Sequence, residues 1–428
     1  MADERMGNWW LAGAFRDMTR MHIDRRVVCG FMTLMLVMNA VVLAVFWKEI
    51  MAGKNDFPVF YANAEMVREG QASHLYDLDA ENSFVLRVSS VPRPPNIHFP
   101  YENLIFLPFA YFRFGAAFVL WTLLSVGMLV GVALLMRDLR PGGSSFPLTL
   151  LTVLAFFPVW DCLLQGQDSI LLLFLFALSF WLWRRSQEDV AGFVLALGLF
   201  RPQLVLPFVL VALLGGKWKF VRGFVPGAAF VVALSTWVVG LHGMAAYVRV
   251  LTSLGTQGSA STLEKQWLVW PGLMPTLRGL LWILPSGIPF NIRNLLLLSG
   301  TFGALLWAAK RMRSAGNGAP FNLALGIALA TVLLVSFHSY IHDFSLMIIP
   351  WLIAGDALVS PGSVTERNAY TIVTIAFLFF FTPLYIVLLS REKVGLLVPP
   401  MVVALGLMSR WETNSLSAVA AGADGARS

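Results

Sequence analysis

The sequence predicts an all-α polytopic membrane protein, and three observations predict it. Of its 428 residues 57% are hydrophobic and only 13% charged, which is more apolar and less charged than a domain whose main solvent is water. The apolar residues fall in runs near the ~20 residues that a hydrocarbon core about 30 Å thick demands of a helix. Between the runs, basic residues come in small clusters at turns rather than along one face, the pattern of cytoplasmic loops. A helix pairs its backbone polar groups within its own segment, so helices are the form such runs take in lipid. The same scatter sets nucleic acid aside as a partner despite the formal charge of +7, and points to membrane lipids instead.

Residues 1–26 read as a cytoplasmic N-terminus carrying Arg16, Arg20, Arg25 and Arg26. The first span, 27–47, ends without a small-residue cleavage site, so it is expected to be an uncleaved helix. The polar stretch of about 48–113 then lies outside the cytoplasm. Within it PVFYANAEMVREG has a helical period and predicts an amphipathic helix on the membrane surface, closed by Gly70. NLIFLPFAYF, interrupted by Pro108, is too short to cross and reads as an interfacial or re-entrant piece.

The second crossing runs over about 115–136 and returns at Arg137 and Arg140. Spans near 147–164 and 169–184 make a hairpin with QGQDS at its tip and Arg184 and Arg185 at its inner end. Basic clusters then flank the apolar stretch on both sides, Arg184 and Arg185 before it, Lys217, Lys219 and Arg222 after it. Both clusters belong in the cytoplasm, so the stretch is expected to form two short helices that dip in and return, with Arg201-Pro202 at the bend. Broken helices stand at membrane depth only where the freed backbone is buried in protein or lines a cavity.

A span near 223–241 leads to a second external loop at 242–291, rich in Gly, Pro and Trp. Further spans follow near 292–309, 321–337, 344–358, 370–389 and 395–409. The sum is about ten full crossings plus a re-entrant or thin hairpin, in one transmembrane domain of residues 27–410 followed by a disordered cytoplasmic tail, 411–428. No internal repeat of the kind common in transporters is visible. Cys29 and Cys162 lie in apolar spans and read as packing residues.

Four groups of residues could carry chemistry. Asp56 follows the first span by about nine residues and precedes Phe-Pro-Val-Phe; it suits either general-base work in a partly desolvated pocket or the N-cap of the helix after it. Arg201 near membrane depth needs an anion, either a phosphate or an acidic partner such as Asp168 or Asp161. SFHSYIHDFSLMIIP places His338, Tyr340, His342 and Asp343 at the external end of two spans, where they could orient a hydroxyl, contact phosphate or relay a proton. The four-residue spacing of His338 and His342 also fits a zinc pair, but no other cluster supplies further ligands, so no metal is expected. Gly166, Gln167, Asp168 and Ser169 form a polar turn that could bind a sugar or simply join two helices. Tryptophans near span ends, Trp47, Trp181, Trp183 and Trp270, suit an interfacial belt, with Trp267 and Trp270 also placed for sugar stacking.

Taken in order, DFPVFYANAEMVREGQASHLYD, PYENLIFLPFAYF, QGQDSILLLFL, AGFVLALGLFRPQLVLPFVLV and YIHDFSLMIIPW resemble the polyprenyl-phosphate-mannose-dependent α-1,2-mannosyltransferases of glycosyltransferase family 87. The resemblance spans about Asp56 to Pro350. It implies the helical bundle of the GT-C superfold, with the catalytic carboxylate of the first extracytoplasmic loop mapping onto Asp56. In such enzymes that carboxylate deprotonates an acceptor hydroxyl, which displaces a polyprenyl phosphate with inversion. The implied donor is a polyprenyl-phosphate-linked mannose, another hexose or a pentose, and the implied acceptor is a glycolipid or glycan, with no separate cofactor. On this reading Arg201 and His342 hold the donor phosphate, while His338, Tyr340, Asp343, Gln167, Tyr61 and Tyr101 contact substrate. The implied location is the plasma membrane, a bacterial inner membrane, with the active site facing the periplasm or cell exterior. The chain departs from the family pattern at Arg201-Pro202 for Lys-Pro, at Pro100-Tyr101-Glu102 for Tyr-Pro-Pro, and at Asp168 for Asn. A transporter or flippase of a lipid-linked or small polar substrate is the alternative, motivated by Arg201 and the broken hairpin.

Overall fold

The computed structural model describes residues 25–93, 96–139, 145–255, 270–284, 288–316, 318–359 and 366–425. The expectations for residues 1–24, Arg140 and Trp267 lie outside these. Every regular element among the described residues is helical. The first span is α1 (Arg25–Met51), whose Val27, Leu34, Val37, Val41 and Val45 are exposed as a lipid-facing side chain would be.

The segment after α1 departs from expectation. α2 (Phe57–Arg68) forms where PVFYANAEMVREG predicts it, and Gly70 takes the left-handed conformation just beyond its end. It does not lie on a surface, because nine of its 12 residues are buried. α3 (Leu78–Val85), α4 (Glu102–Phe106) and the 3-10 turn Leu107–Tyr111 pack around it. The loop thus covers the face of α2 that its sequence would give to water. A small core of Ala62, Met66, Leu75, Phe84, Val85 and Val239 joins this cap to the bundle.

α5 (Phe114–Asp138) is the second crossing. The next span is broken: α6 (Phe146–Ala155) and α7 (Phe157–Gln165) meet at 64°. α8 (Ser169–Arg184) completes the expected hairpin. The thin hairpin is present as α9 (Glu188–Ala196) and α10 (Pro202–Leu214), with Arg201 at the bend. α11 (Trp218–Gly255) continues past the expected boundary at 241, with a kink at Gly240, so the segment expected to be the second external loop begins as helix. α12 (Leu277–Ile283), α13 (Phe290–Ser314), α14 (Ala319–Val335) and α15 (Ile348–Val359) follow. A second broken span joins α16 (Glu366–Phe380) to α17 (Thr382–Ser390) at 61°. α18 (Val398–Gly425) extends into the expected tail, through an alanine-rich stretch that favours helix.

Among the described residues five helices are long and apolar enough to cross a membrane, or seven if each bent pair is one span. The expected ten is not confirmed: of those spans α8 and α14 are shorter apolar helices of 10–17 residues, and α15 has 12 residues. The two breaks share one support. Asn39 of α1 donates its amide to Ala155 O at 3.2 Å and accepts from Thr382 Oγ1 at 2.8 Å, so one buried side chain serves a freed polar group at each break. α9 and α11 approach backbone to backbone: a Cβ on Gly223 would lie 1.8 Å from Asp189 O, the contact that small residues allow between membrane helices.

The basic turns collect at one end. Arg185 bonds Asp138 at 2.9 Å, Arg222 bonds Asp189 at 2.7 Å, and Lys217 stands over the Phe321 ring. α8 runs from that end to the turn holding Gln167 and Asp168, a rise of about 24 Å for its length. α14 likewise starts beside the basic turns and ends just before His338.

Candidate functional site

Asp56 occupies the N-cap position of α2, with helical φ of −84° and ψ of −18°, but its side chain makes no capping hydrogen bond. The carboxylate turns away from the helix. Oδ2 accepts from Gln167 Nε2 at 2.8 Å, Oδ1 lies 3.7 Å from Arg93, and the side chain is 41% exposed. Of the two readings the sequence allows, capping is therefore not realised through the side chain.

Gln167 is delivered by the turn between α7 and α8. Gly166 ends α7 at a φ of +66°, and a Cβ there would come within 2.7 Å of Phe57 Cβ. A glycine lets the turn lie flat against the residue next to Asp56. The Gln167 amide has a fixed sense: Arg201 Nη2 donates to its Oε1. A guanidinium only donates, so Oε1 must face Arg201 and Nε2 must face Asp56.

Arg201, only 3% exposed, caps α10 and sits between carboxylates. Its Nε donates to Asp168 Oδ1 at 2.9 Å, Nη2 shares that oxygen, and Nη1 lies 3.7 Å from Asp343 Oδ1. Burial acts to raise the Asp168 carboxyl, but Arg201 overrides it and holds the group below its ordinary range. Of the acidic partners foreseen, Asp168 is the one used; Asp161 instead lies 3.8 Å from His342 Nδ1. The structure thus sets Arg201 behind Gln167, engaged on every side named above, rather than open to a ligand.

Asp343 is completely buried; it accepts from Ser169 Oγ at 2.8 Å and from Tyr340 N at 3.2 Å. His342 Nε2 lies 3.7 Å from Asp343 Oδ2, and that nitrogen is buried without a hydrogen-bond partner among the described residues. The Cys162 thiol donates to His342 O at 3.1 Å, so this packing cysteine also steadies the turn. His338, Tyr340 and His342 stand in a row, with ring centroids 5.0 Å and 5.9 Å apart. Burial lowers His342 from its ordinary value and drives His338 down to about 4 against the pull of Asp343, leaving both neutral at neutral pH. Tyr340 accepts from Trp270 N at 3.1 Å, while the Trp270 indole donates to Glu392 at 2.6 Å.

Asp56, Gln167, Arg201, His342, Asp343, Tyr340 and His338 are thus connected, and two expected residues are not among them. Tyr61 donates its hydroxyl to Phe112 O at 2.8 Å, and burial pushes its pKa up to about 12. Tyr101 donates to Leu197 O at 2.6 Å and accepts from Phe200 N at 3.1 Å, bracing the bend that carries Arg201. Both hydroxyls serve backbone groups that a helix end leaves unpaired.

Several residues were missed. Arg93 reaches Asp56 from a proline-rich loop with no periodic signal. Arg278, 9% exposed, donates to Phe337 O at 3.0 Å and lies over the Phe337 ring, with no carboxylate in ion-pair range among the described residues. His98 and Glu102, four apart, meet at 2.6 Å, and Asp168 Oδ2 lies 3.9 Å from His98 Nδ1. Burial raises Glu102 well above the usual carboxylate range, and Asp168 adds to the effect. That spacing was the available signal. The arrangement as a whole offers a half-open carboxylate held by Gln167, with Tyr340 and His342 near enough to feel its charge.

Residues 100–336 match the family model described as glycosyltransferase family 87. The match contains Gln167, Asp168 and Arg201 and stops short of Asp56 on one side and of His338 on the other. No curated protein and no solved structure matches the chain. With more than half of its length matched and its helices suited to lipid, the chain is a membrane glycosyltransferase and belongs to glycosyltransferase family 87.

Proposed function

We propose that this protein is an inverting transferase of the GT-C type, which moves a sugar from a polyprenyl phosphate to a hydroxyl of an extracytoplasmic glycolipid or glycan, with Asp56 as general base. The sugar is mannose, another hexose or a pentose. The observation that carries the reading is the Asp56 side chain itself: it leaves its cap position and presents a carboxylate oriented by Gln167 to open space. In the reaction the acceptor O–H gives its proton to Asp56 as its oxygen bonds to the anomeric carbon. The bond from that carbon to the phosphate oxygen breaks on the opposite face, and its electron pair leaves with the polyprenyl phosphate.

The leaving phosphate gains negative charge, so a cation or hydrogen-bond donor beside it lowers the barrier. His342 supports this reading, since its Nε2 has no hydrogen-bond partner among the described residues. Arg278, beside His338, is the guanidinium best placed to join it, because Arg201 is already paired with Asp168 and serves Gln167. A bacterial inner membrane, with Asp56 on the periplasmic side, fits the gathering of basic turns at the opposite end of the bundle. The same pairing of Arg201 with Asp168 removes the main reason for a transporter.

The test is Asp56→Asn, assayed in reconstituted membranes with a labelled polyprenyl-phosphate sugar. Transfer is expected to fall by roughly 10²–10⁴-fold while the variant inserts and melts like the wild type. A fully active variant removes Asp56 as the base.

A further inference from the structure

We propose that His98, Glu102 and Asp168 form a binding site for one divalent transition-metal cation, buried behind the Asp56 site. One ligand atom from each of the three residues lies within 4.8 Å of the others. Three atoms in this cluster, His98 Nδ1, Glu102 Oε1 and Asp168 Oδ2, are buried and find no hydrogen-bond partner outside the cluster among the described residues. Buried polar atoms are normally paired, and three that have only one another suit a shared cation. The residues come from two places in the chain: His98 just before α4 with Glu102 at its first position, and Asp168 at the start of α8.

Asp168 and His98 are held from outside the cluster. Arg201 occupies Asp168 Oδ1 and leaves Oδ2 facing inward. His98 is pinned at its backbone, N–H to Asn96 Oδ1 at 2.8 Å and carbonyl to the Tyr76 hydroxyl at 2.8 Å, while its ring meets Phe60 edge-on. Support of this kind fixes metal ligands in their binding orientation. One imidazole and two carboxylates, with positions open to water, suit Mn²⁺, Fe²⁺ or Zn²⁺. Ligation at about 2.0–2.2 Å requires the 2.6 Å His98–Glu102 contact to widen and Asp168 to close in, both within the reach of side-chain rotation. Because Asp168 holds Arg201 and Arg201 holds Gln167, an ion here stiffens the support of Asp56 without touching the reacting atoms.

The experiment uses the full-length protein in detergent, stripped with a chelator and titrated with Mn²⁺ while the electron paramagnetic resonance signal of free Mn²⁺ is followed, with Zn²⁺ as competitor. The expected result is one bound equivalent in the wild type, with affinity lowered at least about 10-fold in Glu102→Gln and in His98→Asn. Glu102→Gln is nearly isosteric and uncharged, so its melting temperature without metal should stay close to that of the wild type, while the melting shift that Mn²⁺ produces is lost. Asp161→Asn, beside His342 and outside the cluster, should bind as the wild type does. Absence of a bound equivalent in the wild type, or undiminished binding in both ligand variants, overturns the proposal. This outcome is separate from that of Asp56→Asn, since it reads binding rather than transfer.

Discussion

A carboxylate just ahead of a helix ordinarily turns in to cap it; Asp56 turns outward because Gln167 offers a donor whose direction Arg201 has already fixed. Replacing Gln167 by Glu removes that donor and sets a second negative charge beside Asp56. A like charge disfavours the ionised form, so the acid limb of the kcat profile should move to higher pH. Transfer at neutral pH should drop roughly 10- to 100-fold, the worth of a hydrogen bond to a charged group. An unchanged pH profile would show that Gln167 does not orient the base. His338 gives a second test at this scale. Burial drives its folded-state pKa down to about 4, against about 6.5 in the unfolded chain. Below pH 6.5 the unfolded chain takes a proton that the folded protein refuses, so the contribution of His338 is present at neutral pH and is lost as pH falls toward 4. The melting-temperature advantage of wild type over His338→Asn should therefore shrink between pH 7 and pH 5.

At the scale of elements, the two broken spans depend on Asn39. Its side chain reaches both breaks, at Ala155 and at Thr382, and is completely buried. Asn39→Leu leaves Ala155 O and the Thr382 hydroxyl without these partners, at a cost of about 1–3 kcal/mol for each group left unsatisfied. The expected outcome is a lower melting temperature with the donor KM unchanged; an unshifted melt would mean that the breaks are held by other contacts. The crossing of α9 and α11 is equally specific. A methyl group on Gly223 would overlap Asp189 O, a backbone atom that cannot swing aside, so Gly223→Ala should reduce the yield of folded protein measured by size-exclusion chromatography.

For the whole molecule, the arrangement of charge makes a prediction about sidedness. Lys54, two residues before Asp56, is half exposed, and Gln187 is exposed at the end where Arg185 and Arg222 lie. With Cys29 and Cys162 replaced by Ser, Lys54→Cys should react with a membrane-impermeant thiol reagent added to intact cells. Gln187→Cys should react only after the cells are opened. The reverse pattern would place Asp56 in the cytoplasm and rule out an extracytoplasmic acceptor.

The helical, membrane-embedded character of the chain was legible because it follows from local composition: each apolar run must bury its backbone within itself, whatever its neighbours do. The bend at Arg201-Pro202 was legible for a similar reason, since two basic clusters cannot both stay in the cytoplasm across one crossing. Asp56 and the His338–Asp343 segment were readable as candidates, because polar groups at span ends stand out against the apolar runs beside them. Only the tertiary structure decided that α2 is buried, that Arg201 faces Asp168 and Gln167, that Tyr61 and Tyr101 serve backbone carbonyls, and that His98 and Glu102 join Asp168. Those outcomes depend on which distant segments cover one another, and a side chain's partner across a hundred residues leaves no periodicity for the sequence to display.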